Sequence, residues 1–97
     1  MWRPLPYGDD MRRAAKVDLS QKAIVDALRA AGCSVVFIGF PVDLLVGRAG
    51  ASYVLECKSG EKKRKDLTPA QVEFFRDWRG HAAVVCTPEE ALRAVGL

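Results

Sequence analysis

The chain has 97 residues, the size of one domain, so we expect no second catalytic or binding domain. Its composition, 49% hydrophobic and 28% charged, is that of a globular protein and excludes disorder over most of the chain. The formal net charge of +3 is too small to separate a nucleic-acid-binding protein from any other basic protein.

A polar arm and a helix are predicted first. Residues 1–16 contain prolines and paired charges and are interpreted as an N-terminal arm, so that the folded domain spans residues 17–97. Ser20 or Asp18 is expected to cap the helix, and Gly32 suits the left-handed position after its last turn. The buried face is predicted from apolar residues at helical spacing, which are Ile24, Ala27, Leu28 and Ala31.

Three strands are predicted after this helix. β-branched and aromatic residues favour a strand over residues 34–38, and Gly39-Phe40-Pro41 ends it. A second strand is expected over residues 42–46 and a third over residues 51–58. Residues 47–50 form the turn between them, so these two strands are predicted to make a hairpin.

The C-terminal part is predicted to contain a helix, a strand and a last helix. The middle helix is expected to end at Gly80, and its start combines three signals, which are Thr68, Pro69 and Gln71. A buried strand is predicted over residues 82–86, and Thr87 repeats the capping pattern before the last helix. The order helix-strand-strand-strand-helix-strand-helix predicts a single α/β domain with a mixed sheet.

The hairpin is predicted to gather three charged side chains. With its turn centred between Arg48 and Ala49, Asp43 is expected opposite Val54 and diagonal to Glu56, with backbones about 7–8 Å apart. Glu56 and Lys58 share one face because strand side chains alternate. Asp43 and Glu56 each interrupt an apolar strand, where a charge is costly unless it is paired or bound to metal.

This set of residues suits the hydrolysis of a phosphodiester. Two carboxylates can hold one Mg²⁺, which prefers oxygen ligands and lowers the pKa of bound water. A lysine nearby can orient that water or stabilise charge on the phosphate in the transition state. The alternative is that Glu56 and Lys58 are ordinary solvated charges on a strand, which leaves Asp43 without a partner.

A run of basic residues lies beside this proposed site. It is expected to contact phosphates of DNA, as basic side chains do in nucleic-acid complexes, and comprises Lys62, Lys63, Arg64 and Lys65. Arg12 and Arg13 of the arm are expected to extend this contact surface. The alternative for the run is a solvated loop.

Cysteine and histidine usage favours a reduced, cytoplasmic compartment. Cys33, Cys57 and Cys86 are odd in number and lack metal-type pair spacing, and His81 is the only histidine. Neither a disulfide framework nor a zinc site is expected. No segment has the length of a membrane span and no secretory signal is recognised, so we expect no membrane association.

The residues Pro41-Val42-Asp43 and Glu56-Cys57-Lys58, with Glu56 thirteen positions after Asp43, resemble the motif of the PD-(D/E)XK nucleases. Within that superfamily the chain is most similar to small Holliday-junction resolving enzymes of archaeal type, some of which are carried by phages, and next to the compact VRR-NUC nucleases. The resemblance covers residues 17–95. It implies a restriction-endonuclease-like fold and, because some of these enzymes are phage-carried, a phage origin in a bacterial host.

The resemblance also implies roles for individual residues. Asp43 and Glu56 would bind Mg²⁺ or Mn²⁺ with the carbonyl of Cys57, Lys58 would be catalytic, and no small-molecule cofactor is implied. The resolving enzymes carry a glutamate on the first helix where this chain has Gln21. Three alternatives stay open at this position. Gln21 can offer a carbonyl oxygen in place of the glutamate, or Asp18 can substitute for the glutamate from the start of the helix. In the third alternative, Gln21 is simply a polar residue of the first turn. VRR-NUC-like nucleases carry a glutamine on the later helix, so Gln71 would be a supporting residue here, and Asp18 would be another where it substitutes for the glutamate of the first helix.

Three functions are therefore considered. The first is a Mg²⁺-dependent endodeoxyribonuclease that resolves Holliday junctions, with branched DNA as its partner. Because one domain carries one site and resolution needs two nicks, this function predicts a homodimer. The second is a nicking or VRR-NUC-type nuclease that works with a partner protein. The third is an inactive DNA-binding module, for which the glutamine at position 21 is an indication.

Overall fold

The computed structural model describes residues 19–60 and 66–97. These residues form three helices and four strands in the predicted order, so the α/β class is confirmed. One mixed sheet has the strand order β1-β2-β3-β4, in which β3 and β4 are parallel and the other pairs antiparallel. The elements are α1 (Leu19–Ala30), β1 (Ser34–Phe37), β2 (Leu44–Arg48), β3 (Ala51–Cys57), α2 (Pro69–Asp77), β4 (His81–Val85) and α3 (Pro88–Ala94).

The helix ends follow local capping rules in most cases. Thr68 caps α2 in a capping box with Gln71, and Thr87 caps α3 by accepting from the Glu90 amide. Gly32 follows α1 with φ 92°, the left-handed conformation that glycine adopts most easily. Ser20 lies inside α1 and is therefore not its cap, and the alternative, Asp18, lies outside the described residues.

The hairpin register differs from the prediction by two residues. Leu44 pairs with Leu55, and Val54 faces Leu45 rather than Asp43. The turn falls on Ala49 and Gly50, with φ of 51° and 82°, because a two-residue hairpin turn favours positive φ at both central positions. Residues 47 and 48, predicted as part of the turn, belong to β2.

The corrected register brings Asp43 and Glu56 closer together than the predicted register does. Continued by one residue, it sets Asp43 directly opposite Glu56 rather than diagonal to it. A shift of two residues leaves every side chain on its original face, because strand side chains alternate with period two. The predicted common face of Asp43 and Glu56 therefore survives the error in register.

The hydrophobic core lies between one face of the sheet and two helices. α1 and α3 contact each other and pack on that face. The helices contribute Ile24, Val25, Leu28, Ala91 and Val95, and the strands contribute Leu44, Val46, Leu55 and Val85. Ala31, predicted on the buried face of α1, is exposed because the helix ends before it.

The second helix, α2, packs differently. None of its residues is buried, and Trp78, which follows it, is 45% exposed. A hydrogen bond from Gln71 to the Pro41 carbonyl ties α2 to the loop before β2. In the part of the chain that is described, no helix has both the length and the apolar character needed to cross a membrane.

Candidate active site

Asp43 closes a loop with its backbone and contacts the next strand with its side chain. The amides of Ile38 and Gly39 donate to the Asp43 carbonyl at 2.9 and 3.3 Å, which folds residues 38–43 into a compact loop before β2. Asp43 Oδ2 accepts a hydrogen bond of 2.9 Å from the amide of Cys57. The carboxylate is therefore fixed between β2 and β3 by the backbone of the strand that carries Glu56.

Glu56 is a buried carboxylate with an incomplete set of partners. It is 4% exposed and faces Val84 in the parallel pairing with β4. Its Oε2 forms an ion pair of 3.2 Å with Nζ of Lys58, which is 18% exposed. Its Oε1 is buried and has no hydrogen-bond partner among residues 19–60 and 66–97. Such an unsatisfied oxygen costs about 1–3 kcal/mol, and a ligand bound to it would offset this cost.

Burial and the neighbouring charge act together on Glu56. Desolvation raises the pKa of its carboxyl above the ordinary value, and the negative charge of Asp43 raises it further. Lys58 and the side chain of Gln71 act in the opposite direction and lower this pKa, but the net direction is upward. A divalent cation between the two carboxylates would remove their repulsion and favour the ionised form of Glu56.

Gln71 combines a capping role with a contact to this site. Its Oε1 accepts from the Thr68 amide at 3.1 Å, as the capping box requires. Its Nε2 donates to the carbonyl of Pro41 at 3.1 Å, and its side chain also acts on the Glu56 carboxyl. The two alternatives left open for Gln71 are therefore compatible: one residue caps α2 and ties the helix to the loop that carries Asp43.

The residues present fit a divalent cation with few protein ligands. Mg²⁺ is usually held by one or two carboxylates and keeps several waters, so Asp43 and Glu56 form a sufficient set. The unpartnered Oε1 of Glu56 gives a specific reason for a ligand there. No group of three or more His, Cys, Asp or Glu side chains suited to a metal occurs among residues 19–60 and 66–97.

The roles of several other predicted site residues are not tested by the contacts described above, or the residues lie outside the described part of the chain. Gln21 is half-buried in the first turn of α1, the helix that packs on the core face of the sheet, and its role stays a prediction. The role of the Cys57 carbonyl as a metal ligand also stays a prediction. The remaining predicted residues lie outside the described residues and are Asp18, Arg12, Arg13, Lys62, Lys63, Arg64 and Lys65.

Sequence reasoning missed the aromatic surroundings of this site. Phe40, at the apex of the loop that ends at Asp43, is 74% exposed, and Pro41 beside it faces the aromatic residues of α2. The only signal in the sequence is an aromatic residue between Gly39 and Pro41, where a polar residue is more usual in an exposed turn.

Comparison with known proteins adds no relative: no family model, curated protein or solved structure matches the chain.

Proposed function

We propose that the protein is a metal-dependent, structure-selective DNA endonuclease of the PD-(D/E)XK type that resolves four-way junctions. One observation carries this proposal: a buried Glu56 with an unpartnered oxygen lies beside Asp43 and is ion-paired to Lys58. Two like charges at a nearly buried position do not stabilise a fold by themselves, whereas a divalent cation bound between them would be attracted to both.

The chemistry divides among these residues. Asp43 and Glu56 would hold Mg²⁺ or Mn²⁺, which supplies Lewis acidity and a hydroxide at neutral pH when bound. Lys58 is positioned by its ion pair with Glu56, and its ammonium group can stabilise the negative charge that builds on the phosphate. Gln71 orients the site through Pro41 and Glu56 and is a positioning residue.

The arrangement of elements supports a restriction-endonuclease-like fold. The hairpin β2–β3 carries Asp43 near its start and Glu56 near its end, and α2 connects β3 to the parallel strand β4. This is the order that the resemblance implies. A homodimer is part of the proposal, because paired nicks on opposing strands need two copies of a site that each chain carries once.

Cleavage assays on DNA substrates test this function. The protein is incubated with labelled four-way junction, flap, single-stranded and duplex DNA, in Mg²⁺, Mn²⁺ or EDTA. We expect symmetric junction cleavage with a divalent cation only, lost in Asp43→Asn and Lys58→Ala. Asp26→Asn and Lys22→Ala are matched controls, because these residues form an exposed ion pair of 2.7 Å on α1, and both should cleave normally.

The other outcomes are equally specific. Metal-dependent cleavage of flaps or single strands without junction resolution would favour the nicking or VRR-NUC-type nuclease. DNA binding without cleavage in Mg²⁺ and Mn²⁺ would refute both enzymes and leave the inactive DNA-binding module. A monomer at micromolar concentration in light scattering would count against paired nicking.

A further inference from the structure

An aromatic cleft lies next to the candidate active site. Its lining includes Phe40 and Pro41 from the loop before β2, and Phe74 and Trp78 from α2 and its C-cap. The rings of Phe74 and Trp78 are stacked, with centroids 5.1 Å apart and planes inclined by 28°. Phe40 is 74% and Trp78 45% exposed, so large aromatic surface on both walls faces solvent.

The cleft and the carboxylates share one piece of backbone. Phe40 precedes Asp43 by three residues, which span at most about 11 Å of extended chain. Gln71 Nε2 donates to the Pro41 carbonyl and thereby holds the two walls of the cleft together. The same side chain acts on Glu56. A nucleotide whose phosphate lies at Asp43 and Glu56 therefore has its own base, or the next one, within reach of the cleft.

We propose that this cleft binds an unpaired base of the DNA substrate beside the phosphate that is cleaved. The proposal rests on the proposed function and names its substrate class: DNA with bases freed from pairing, as at branch points, flaps and single strands. The cleft measures about 350 Å³, at the small end of ligand sites, and suits one planar heterocycle between aromatic walls. A base within a duplex cannot enter it, because its faces are covered by neighbouring base pairs.

The charges at the rim are compatible with this occupant. Glu73 and Asp77 also line the cleft, and Arg76 is ion-paired with both, at 3.6 and 2.9 Å. The arginine offsets about half of their repulsion of a phosphate backbone, which leaves a net charge of −1 on these three side chains. Carboxylate oxygens accept hydrogen bonds from the exocyclic amino groups of bases, so these two residues can contact an edge while the rings contact the face.

Binding measurements with a variant of Phe40 test the proposal. Affinities for a single strand and for the matching duplex are measured by fluorescence anisotropy in EDTA, where no metal-dependent cleavage occurs. We expect the wild type to prefer the single strand, and Phe40→Leu to lose about 5- to 150-fold of that preference, the usual effect of removing one stacking ring. Phe40→Tyr keeps a ring and should restore it.

A control and a base-specific probe separate stacking from general contact. Val72→Ala also removes an exposed apolar side chain from α2, at a residue that is 52% exposed and does not line this cleft, and it should bind as the wild type does. A strand carrying 2-aminopurine should show fluorescence quenching on binding to the wild type and less on binding to Phe40→Leu. An abasic site at that position should abolish the difference between the two proteins.

The result that overturns the proposal is an unchanged preference in Phe40→Leu. A change in self-association in light scattering, without a change in DNA preference, also overturns it and assigns the cleft to contact between copies of the chain. Cleavage by the wild type, measured in parallel with Mg²⁺, reports the proposed function separately. If the wild type cleaves DNA and Phe40→Leu keeps the preference for the single strand, only the proposal of base binding in the cleft is refuted. If Phe40→Leu loses this preference and the wild type does not cleave, only the nuclease function is refuted.

Discussion

Asp43→Asn is expected to stabilise the protein in EDTA while it removes nuclease activity. The register sets Asp43 opposite Glu56, and opposing residues of an antiparallel pair have Cβ atoms about 4.5–5.5 Å apart. With the carboxylates taken at the same separation as these Cβ atoms, two like charges about 5 Å apart repel each other by about 3 kcal/mol at an effective dielectric constant of about 20. Lys58 already offsets a part of this repulsion through its ion pair with Glu56.

The substitution has one opposing cost. Asparagine keeps an oxygen that can accept from the Cys57 amide, but a bond to a neutral acceptor is weaker than one to a carboxylate by about 1 kcal/mol. The net gain in the free energy of unfolding is therefore about 1–2 kcal/mol. For a domain of this size, such a gain corresponds to a rise in Tm of roughly 4–16 °C.

Thermal unfolding followed by circular dichroism, with and without Mg²⁺, checks this expectation. In EDTA the variant should melt above the wild type. Saturating Mg²⁺ should raise the Tm of the wild type, since a ligand at a hundred times its Kd adds about 2.7 kcal/mol, and should raise the variant much less. Asp26→Asn removes an exposed carboxylate that is 60% accessible, and should change stability by about 0.5 kcal/mol or less.

The reasoning is refuted if Asp43→Asn melts at or below the wild-type Tm in EDTA, because the carboxylates then do not repel each other as the register implies. An equal response of both proteins to Mg²⁺ would separately remove Asp43 from the metal site. A gain in the Asp26→Asn control as large as that of Asp43→Asn would show that the effect comes from net charge.

Three further predictions follow from the same contacts. Lys58→Met breaks a largely buried ion pair and should cost about 3 kcal/mol in urea unfolding; a loss below about 1 kcal/mol would mean that solvent screens the pair. Gln71→Ala should lose about 1 kcal/mol with the capping box, and Thr68→Ala, which removes the other half of the box but keeps the bond from Gln71 to Pro41, should lose about as much; activity lost in Gln71→Ala and kept in Thr68→Ala would separate positioning from capping. Glu56→Gln should become more stable relative to the wild type as pH rises above about 4.5. The pKa of Glu56 is raised in the folded state, so the unfolded chain loses this proton first and the free energy of unfolding of the wild type falls. A difference in Tm that is constant from pH 4 to 8 would contradict this.

Local rules explain which parts of the fold were predictable from the sequence. The starts of α2 and α3 depend on side chains within three residues of the cap, so Thr68 and Thr87 identify both. The hairpin register depends on which residues adopt positive φ, and the prediction centred the turn one residue too early. Asp43 and Glu56 were still predicted on one face because the resulting shift is even.

The polar contacts that tie the site together needed the three-dimensional structure. The bond from Gln71 to the Pro41 carbonyl joins residues thirty positions apart, and it depends on the fold of residues 38–43 around the Asp43 carbonyl. No periodicity or capping pattern encodes that loop. The unpartnered oxygen of Glu56 was equally inaccessible, because a strand pattern tells whether a residue is buried but not which of its atoms lacks a partner.

The charges of the candidate site explain why it would select both a divalent cation and a phosphate. Asp43 and Glu56 contribute −2 and Lys58 contributes +1, so the three side chains together carry −1 when all are ionised. A divalent cation changes this sum to +1, which complements the single negative charge of a phosphodiester. Without the cation the two carboxylates repel each other, and with it the net positive charge of the cluster would attract the phosphate of the proposed substrate. The instability expected of Asp43 beside Glu56 in EDTA and the nuclease activity proposed for them therefore have one electrostatic cause.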